Sequence, residues 1–140
     1  HRNDVSYSFY LANVIRTPSY VSSWTALQYY HLTTEVIRSV TSVTLKVTRV
    51  HETRVGSFPY QSINERYFSD FVLVKGAFDF FIATPAKALF DLLYFRANQF
   101  RGISRVQVEG LIEDLRIDVD EMHKEDRKKF WVMIDEVLGR

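Results

Sequence analysis

The chain has 140 residues, 18 Lys plus Arg against 17 Asp plus Glu, 46% hydrophobic and 15% aromatic side chains, and no cysteine. Its Phe and Tyr content with a formal net charge of +1 supplies one core of ordinary domain size and excludes the low-hydropathy, high-charge composition of disorder. Without Cys there are no disulfides, thiolate zinc sites or cysteine nucleophiles, and no apolar run approaches the roughly 20 residues of a membrane-crossing helix.

Charge is unevenly spread, with a net +5 over residues 1–108 and −4 over residues 109–140. A basic body attracts nucleic acid or an acidic protein surface, but +5 over a hundred residues is modest for a dedicated DNA-binding domain. No basic start followed by an apolar stretch and a small-residue cleavage site is present, so no secretory leader is expected. The first residue is His1 rather than Met, which leaves room for a preceding domain.

In chain order, Tyr7 to Ile15 reads as a short helix ending before Pro18, since the residue before proline is pushed out of the helical region. Ser22 can cap a helix running to Leu32, with Trp24 and Leu27 at helical spacing. Val43, Leu45 and Val47 alternate with Thr44, Lys46 and Thr48, the pattern of a half-buried strand. Val55-Gly56 suits a hairpin turn between Arg49 to Arg54 and Ser57 to Ile63, where Pro59 implies an edge position or a bulge. A second hairpin joins Phe71 to Val74 with Phe78 to Ile82 through Lys75-Gly76-Ala77.

Thr84 then caps a helix whose first turn holds Pro85. Ala88, Leu89, Phe90, Leu92, Leu93, Tyr94 and Phe95 surround most of its circumference, so it should be buried and central. Gly102 and Ser104 open a further helix with Val108, Leu111, Ile112 and Leu115 on one stripe. The last helix carries Phe130, Trp131, Ile134, Val137 and Leu138 and stops at Gly139. The succession specifies an α+β fold: a mainly antiparallel sheet of hairpins with an N-terminal helix and three C-terminal helices packed on it, in a single domain over residues 1–140.

Chemistry-bearing patterns are sparse. His1, His31, His51 and His123 lie far apart, without the spacing of a zinc motif. The single glycines build no phosphate cradle, and no Gly-x-Ser-x-Gly elbow is present. Asp126-Arg127-Lys128 matches a nuclease-like Asp-x-Lys only superficially, because it opens a charged helix. No catalytic residue, metal or cofactor is therefore expected, and the chain does not read as an enzyme.

Two charged features stand out. Arg38, Lys46, Arg49 and Arg54 fall in the strand-and-hairpin region and read either as edge-protecting charges or as a docking surface. Lys87 and Asp91 are the only polar strip on the apolar helix. They form either a surface ion pair worth a few tenths of a kcal/mol or a pair of heads sharing a polar gap, because an unpaired buried charge is strongly disfavoured. Aromatic excess reads first as core, and second as a partner-binding groove using Tyr29, Tyr30 and Tyr94.

Three stretches in order resemble the effector part of the AbiEi-type antitoxins of type IV toxin-antitoxin systems, which serve bacterial abortive infection and antiviral defence. They are Pro18-Ser19-Tyr20-Val21-Ser22-Ser23-Trp24-Thr25-Ala26-Leu27-Gln28-Tyr29-Tyr30, then Ser42-Val43-Thr44 with Lys46, Arg49 and Gly56-Ser57-Phe58-Pro59-Tyr60, and Ile82-Ala83-Thr84-Pro85-Ala86-Lys87-Ala88-Leu89-Phe90-Asp91-Leu92-Leu93-Tyr94. Tyr20, Ser22, Pro85, Lys87 and Asp91 are the residues that carry the likeness. His31 stands where the family usually has glycine, and a His in a left-handed cap is tolerated at some cost.

The resemblance implies a cytoplasmic antitoxin and transcriptional autoregulator that counteracts a cognate nucleotidyltransferase toxin, with operator DNA bound through an N-terminal winged helix not found in this sequence. The alternative expectation is a nucleic-acid-binding module using the basic hairpin.

Overall fold

In a computed structural model of the chain, which describes residues 5–140, the elements run in the order α1 (Ser6–Ile15), β1 (Ser19–Val21), α2 (Ser23–Tyr29), β2 (Ser42–Thr44), β3 (Arg49–Thr53), β4 (Gly56–Ser62), β5 (Phe71–Val74), β6 (Phe80–Ala83), α3 (Pro85–Arg96), α4 (Arg105–Asp114) and α5 (Lys124–Leu138). This is the α+β succession expected from the hydropathy pattern. No helix is long and apolar enough to cross a membrane among the described residues.

The central helix forms as its sequence dictates. Thr84 is the N-cap, its hydroxyl accepting the Lys87 N–H at 3.2 Å, and Pro85 occupies the first turn, where a missing N–H costs nothing. Every residue from Ala86 to Tyr94 is buried, and α3 packs against α2, α5 and β6. Leu89 and Leu93 are wholly enclosed. At α4 the capping box is complete: Ser104 accepts from the Gln107 N–H while the Gln107 side chain accepts from the Ser104 N–H.

Six strands form one sheet in the order β3-β4-β2-β1-β6-β5. The hairpin pairs β3–β4 and β5–β6 are antiparallel, as expected, and so is β1–β2, which joins a strand at Ser19–Val21 that the sequence did not show, while β1–β6 and β2–β4 are parallel. Each parallel joint brings a hairpin's second strand beside an earlier strand, a long-range choice that no local pattern encodes. β1 meets β6 only at Val21 and Ile82. Beyond that point Asn13 of α1 acts as a surrogate strand. Its Oδ1 accepts the Phe81 N–H at 2.7 Å, and its amide nitrogen donates to the Phe81 carbonyl at 3.4 Å.

Three local expectations are corrected. The alternating strand stops at Thr44, leaving Leu45 and Val47 exposed. The reason is the Thr44 hydroxyl, which donates to the Pro18 carbonyl at 2.7 Å and accepts the Lys46 N–H at 3.2 Å, closing a turn that ends the strand. Pro59 lies on an interior strand, not at an edge. It is tolerated because the parallel β2–β4 register begins at Tyr60, one residue later.

The second helix ends at Tyr29, not Leu32. The Leu32 N–H reaches back to the Leu27 carbonyl and the His31 N–H to that of Gln28, the bonding of a Schellman stop. His31 sits in the left-handed region at φ 62°, where glycine is the usual occupant. Replacing His31 with Gly should therefore raise the urea-unfolding free energy by about 0.5–1 kcal/mol, the balance of relieved backbone strain over added unfolded-chain entropy.

Candidate functional site

α3 presents Lys87 and Asp91 one turn apart, on a helix with no solvent-facing side over its first nine residues after Pro85. Their heads form an ion pair at 2.8 Å with side-chain exposures of 2% and 0%. This excludes the surface-bridge reading and selects the polar gap.

Two polar side chains from the β1–α2 junction complete the gap. The Tyr20 hydroxyl donates to Asp91 Oδ2 at 2.9 Å, and the Ser22 hydroxyl donates to the same oxygen at 2.7 Å. Lys87 Nζ in turn donates to the Tyr20 oxygen at 2.6 Å and to the Tyr67 carbonyl at 2.6 Å. Asp91 Oδ1, at 2.8 Å from the ammonium, is its ion-pair partner but takes no hydrogen bond, so it is the one polar atom of the cluster left without a donor. Ser22 is the N-cap residue of α2, as expected, yet its hydroxyl makes no cap hydrogen bond because it serves Asp91 instead.

Aromatic rings seal this network. Tyr20 stacks on Phe71 at 4.6 Å between centroids and meets Phe68 at 5.2 Å, while the Lys87 ammonium lies 5.1 Å from the Tyr20 ring centre and 5.7 Å from that of Phe90. Burial pushes the Asp91 carboxyl above the usual carboxylate range, against the pull of the Lys87 charge and the hydrogen bonds from Lys87, Ser22 and Tyr20. Burial, then the neighbouring Asp91 charge, drives the Tyr20 phenol well above its ordinary value. A cavity of about 290 Å³ opens on the outer side of Lys87, rimmed by Arg66, Ser69, Asp70 and Glu136.

The remaining sequence-selected residues are elsewhere. Pro85 only starts α3. Arg38, Lys46, Arg49 and Arg54 are all exposed, but they are not gathered: Arg38 lies in the loop after α2, Lys46 between β2 and β3, Arg49 opens β3, and Arg54 is in the hairpin turn. Five residues of extended chain separate Arg49 from Arg54 by about 16 Å. β3 is an edge strand, the setting in which such charges protect against pairing.

Tyr94 is buried in the core, and the half-buried Tyr30 donates its hydroxyl to the Ala83 carbonyl at 2.6 Å. His1 lies outside the described residues. Among the described residues, no three His, Cys, Asp or Glu side chains gather to hold a metal ion. Sequence reasoning missed the Tyr67 carbonyl and the Phe71 ring, because a backbone acceptor and a stacking partner leave no mark in residue spacing.

Removing one member of the pair strands a buried charge. Lys87→Met or Asp91→Asn alone should lower the unfolding free energy by about 3–5 kcal/mol, whereas Lys87→Met combined with Asp91→Leu should cost less than either. Urea denaturation of the singles and the double measures this. Tyr20→Phe should cost about 1–3 kcal/mol, since it removes a group that both accepts from Lys87 and donates to Asp91.

Alkaline pH is a second probe. Burial pushes the Tyr60 phenol up to about 12, with the Arg16 charge opposing. A group whose native value is raised contributes stability that is complete below its unfolded value, about 10, and lost as pH rises through the native one. Stability should therefore fall as pH rises from 10 towards 12. Phenolate absorbance should appear at lower pH in urea-unfolded than in folded protein.

Comparison with known proteins yields no match: no family model, no curated protein and no solved structure is significantly similar to this chain.

Proposed function

We propose that this chain is the effector region of an AbiEi-like antitoxin, a non-catalytic cytoplasmic interaction domain that counteracts a nucleotidyltransferase toxin. Its partner domain is a winged helix that binds operator DNA. The observation carrying this reading is the meeting of two stretches on which the resemblance rests: Tyr20 and Ser22 from the first close a buried network with Lys87 and Asp91 from the third. In that network Asp91 Oδ2 accepts two hydroxyls, and the ammonium donates to the Tyr20 oxygen and the Tyr67 carbonyl while meeting Asp91 Oδ1 as an ion pair without a hydrogen bond, an arrangement that suits a structural lock.

The setting of Arg49 on an edge strand also favours this reading, since charges there serve to deter strand pairing. Arg38, Lys46, Arg49 and Arg54 serve as separate exposed contacts on the β3 side of the sheet.

Co-expression in bacteria with the nucleotidyltransferase toxin from the adjacent reading frame tests the proposal. The wild-type chain should restore growth. Arg49→Glu with Lys46→Glu should weaken the rescue at an unchanged urea midpoint, while Asp91→Asn should weaken it in step with lost stability. A folded wild-type chain that gives no rescue overturns the assignment. A labelled duplex bound at low salt and released steeply as salt rises would replace it with the nucleic-acid reading.

A further inference from the structure

The two edges of the sheet differ in kind. β3 carries Arg49 and Glu52, charges of the sort that deter pairing. β5, at the other edge, reads Phe-Val-Leu-Val with neither charge nor proline, and its Val72 and Leu73 are 45% and 44% exposed.

The hydrogen-bonding groups that β5 turns outward can be assigned. Opposite residues of an antiparallel pair either exchange both backbone bonds or turn both sets of groups away. Phe81 is opposite Leu73, and its N–H and carbonyl are taken by Asn13, so Leu73 directs its own N–H and C=O to the open edge. Phe71, two residues earlier, does the same. The Thr84 N–H on the Asp70 carbonyl at 3.0 Å fixes this parity independently.

We propose that β5 pairs antiparallel with β5 of a second copy about a two-fold axis at Val72, making one sheet continuous across a homodimer. In this register Phe71 of each copy lies opposite Leu73 of the other, and the outward N–H and C=O groups of both residues are all consumed in four hydrogen bonds. The strand is complementary to itself. Asp70 precedes β5 and Lys75 follows it, so the antiparallel arrangement brings the acidic end of one strand near the basic end of the other, while a parallel one would set like charges together. The Lys75 side chain is 78% exposed and only loosely held by Asp79 at 3.6 Å.

The adjoining surface supplies more than half of the area of a standard interface. Tyr10, Val14, Leu73 and Phe81 line an apolar cavity of about 630 Å³ beside the edge, and Phe78 lies against Tyr10 at 5.4 Å. With Val72, these side chains are 36–50% exposed and present roughly 500 Å² per chain, more than half of the about 800 Å² that each partner contributes to a standard interface. The backbone of the edge supplies part of the remainder.

Sedimentation equilibrium of the intact chain from micromolar to near-millimolar concentration should reach twice the 16.5 kDa monomer mass. Val72→Lys sets like charges face to face at the axis and should move the dimer midpoint to about tenfold higher concentration or more, with the urea midpoint of the monomer retained.

Oxidative cross-linking gives a second readout in a chain that has no cysteine of its own. Opposed residues at the axis have Cα atoms about 4.5 Å apart, within disulfide reach, so Val72→Cys should cross-link. Val47→Cys, 62% exposed and far from β5 along the sheet, should not. A mass of 16.5 kDa across the whole range, or equal cross-linking of the two cysteine variants, overturns the proposal; the first result would leave the edge to a strand from a different protein.

Discussion

A helix that is apolar on nearly every side must be buried, and α3 carries a lysine and an aspartate into that burial. Desolvating each ion costs several kcal/mol, and mutual attraction offsets this only when the leftover hydrogen-bonding capacity is also met. Asp91 receives hydroxyls from residues 71 and 69 positions earlier, and Lys87 receives the Tyr67 carbonyl from 20 positions earlier. The β1–α2 junction, the turn at Glu65–Tyr67 and the first turns of α3 are consequently fixed relative to one another by one polar cluster. Ser22 shows which demand prevails. A lost N-cap costs about 1 kcal/mol, whereas an under-satisfied buried carboxylate costs more, and the hydroxyl goes to the carboxylate.

The same accounting of backbone groups explains the sheet. β1 is three residues long and meets β6 only at Ile82, so Asn13 supplies a donor and an acceptor to Phe81 from α1 and ties that helix to β6. Among the described residues no such surrogate bonds to the outward groups of Leu73 or Phe71, and the proposed pairing of β5 rests on that difference between a capped and an uncapped row of amides. At β3 the charges perform the opposite service, which gives the basic residues of the hairpin a structural role beside any recognition they provide.

Legibility in the sequence followed the range of the forces involved. Thr84, Pro85 and the apolar circumference placed α3 within a residue, and Gly102 with Ser104 placed the start of α4, because caps and helical periodicity act over one or two turns. The first hairpin was equally legible from its turn, while the second keeps its strands but returns at Phe80 rather than Phe78, because Val74 pairs with Phe80 and residues 75–79 all go to the turn. The end of β2 was not legible, since its apolar alternation continues past Thr44 while a single hydroxyl diverts the chain. The parallel joints were not either, as they depend on which earlier strand a hairpin finds. At the site, Lys87 and Asp91 were visible as a pair, but whether they lay on a surface or in a gap depended on Tyr20 and Ser22, whose polar atoms looked like core packing and a helix cap.

That distinction bears on what the resemblance to antitoxins rests upon. Many of its residues are aliphatic or aromatic, and volume-conserving exchanges among core residues usually cost under about 1.5 kcal/mol, so such positions specify a fold class weakly. Tyr20, Ser22, Lys87 and Asp91 are different. Each is required by the chemistry of the others: the carboxylate by the ammonium, the two hydroxyls by the carboxylate, and the phenol by both, since it accepts from one and donates to the other. A set with that mutual dependence cannot drift one member at a time without stranding a charge in the core. It is therefore a sharper mark of the proposed resemblance than the greasy residues around it, although it lies inside the protein.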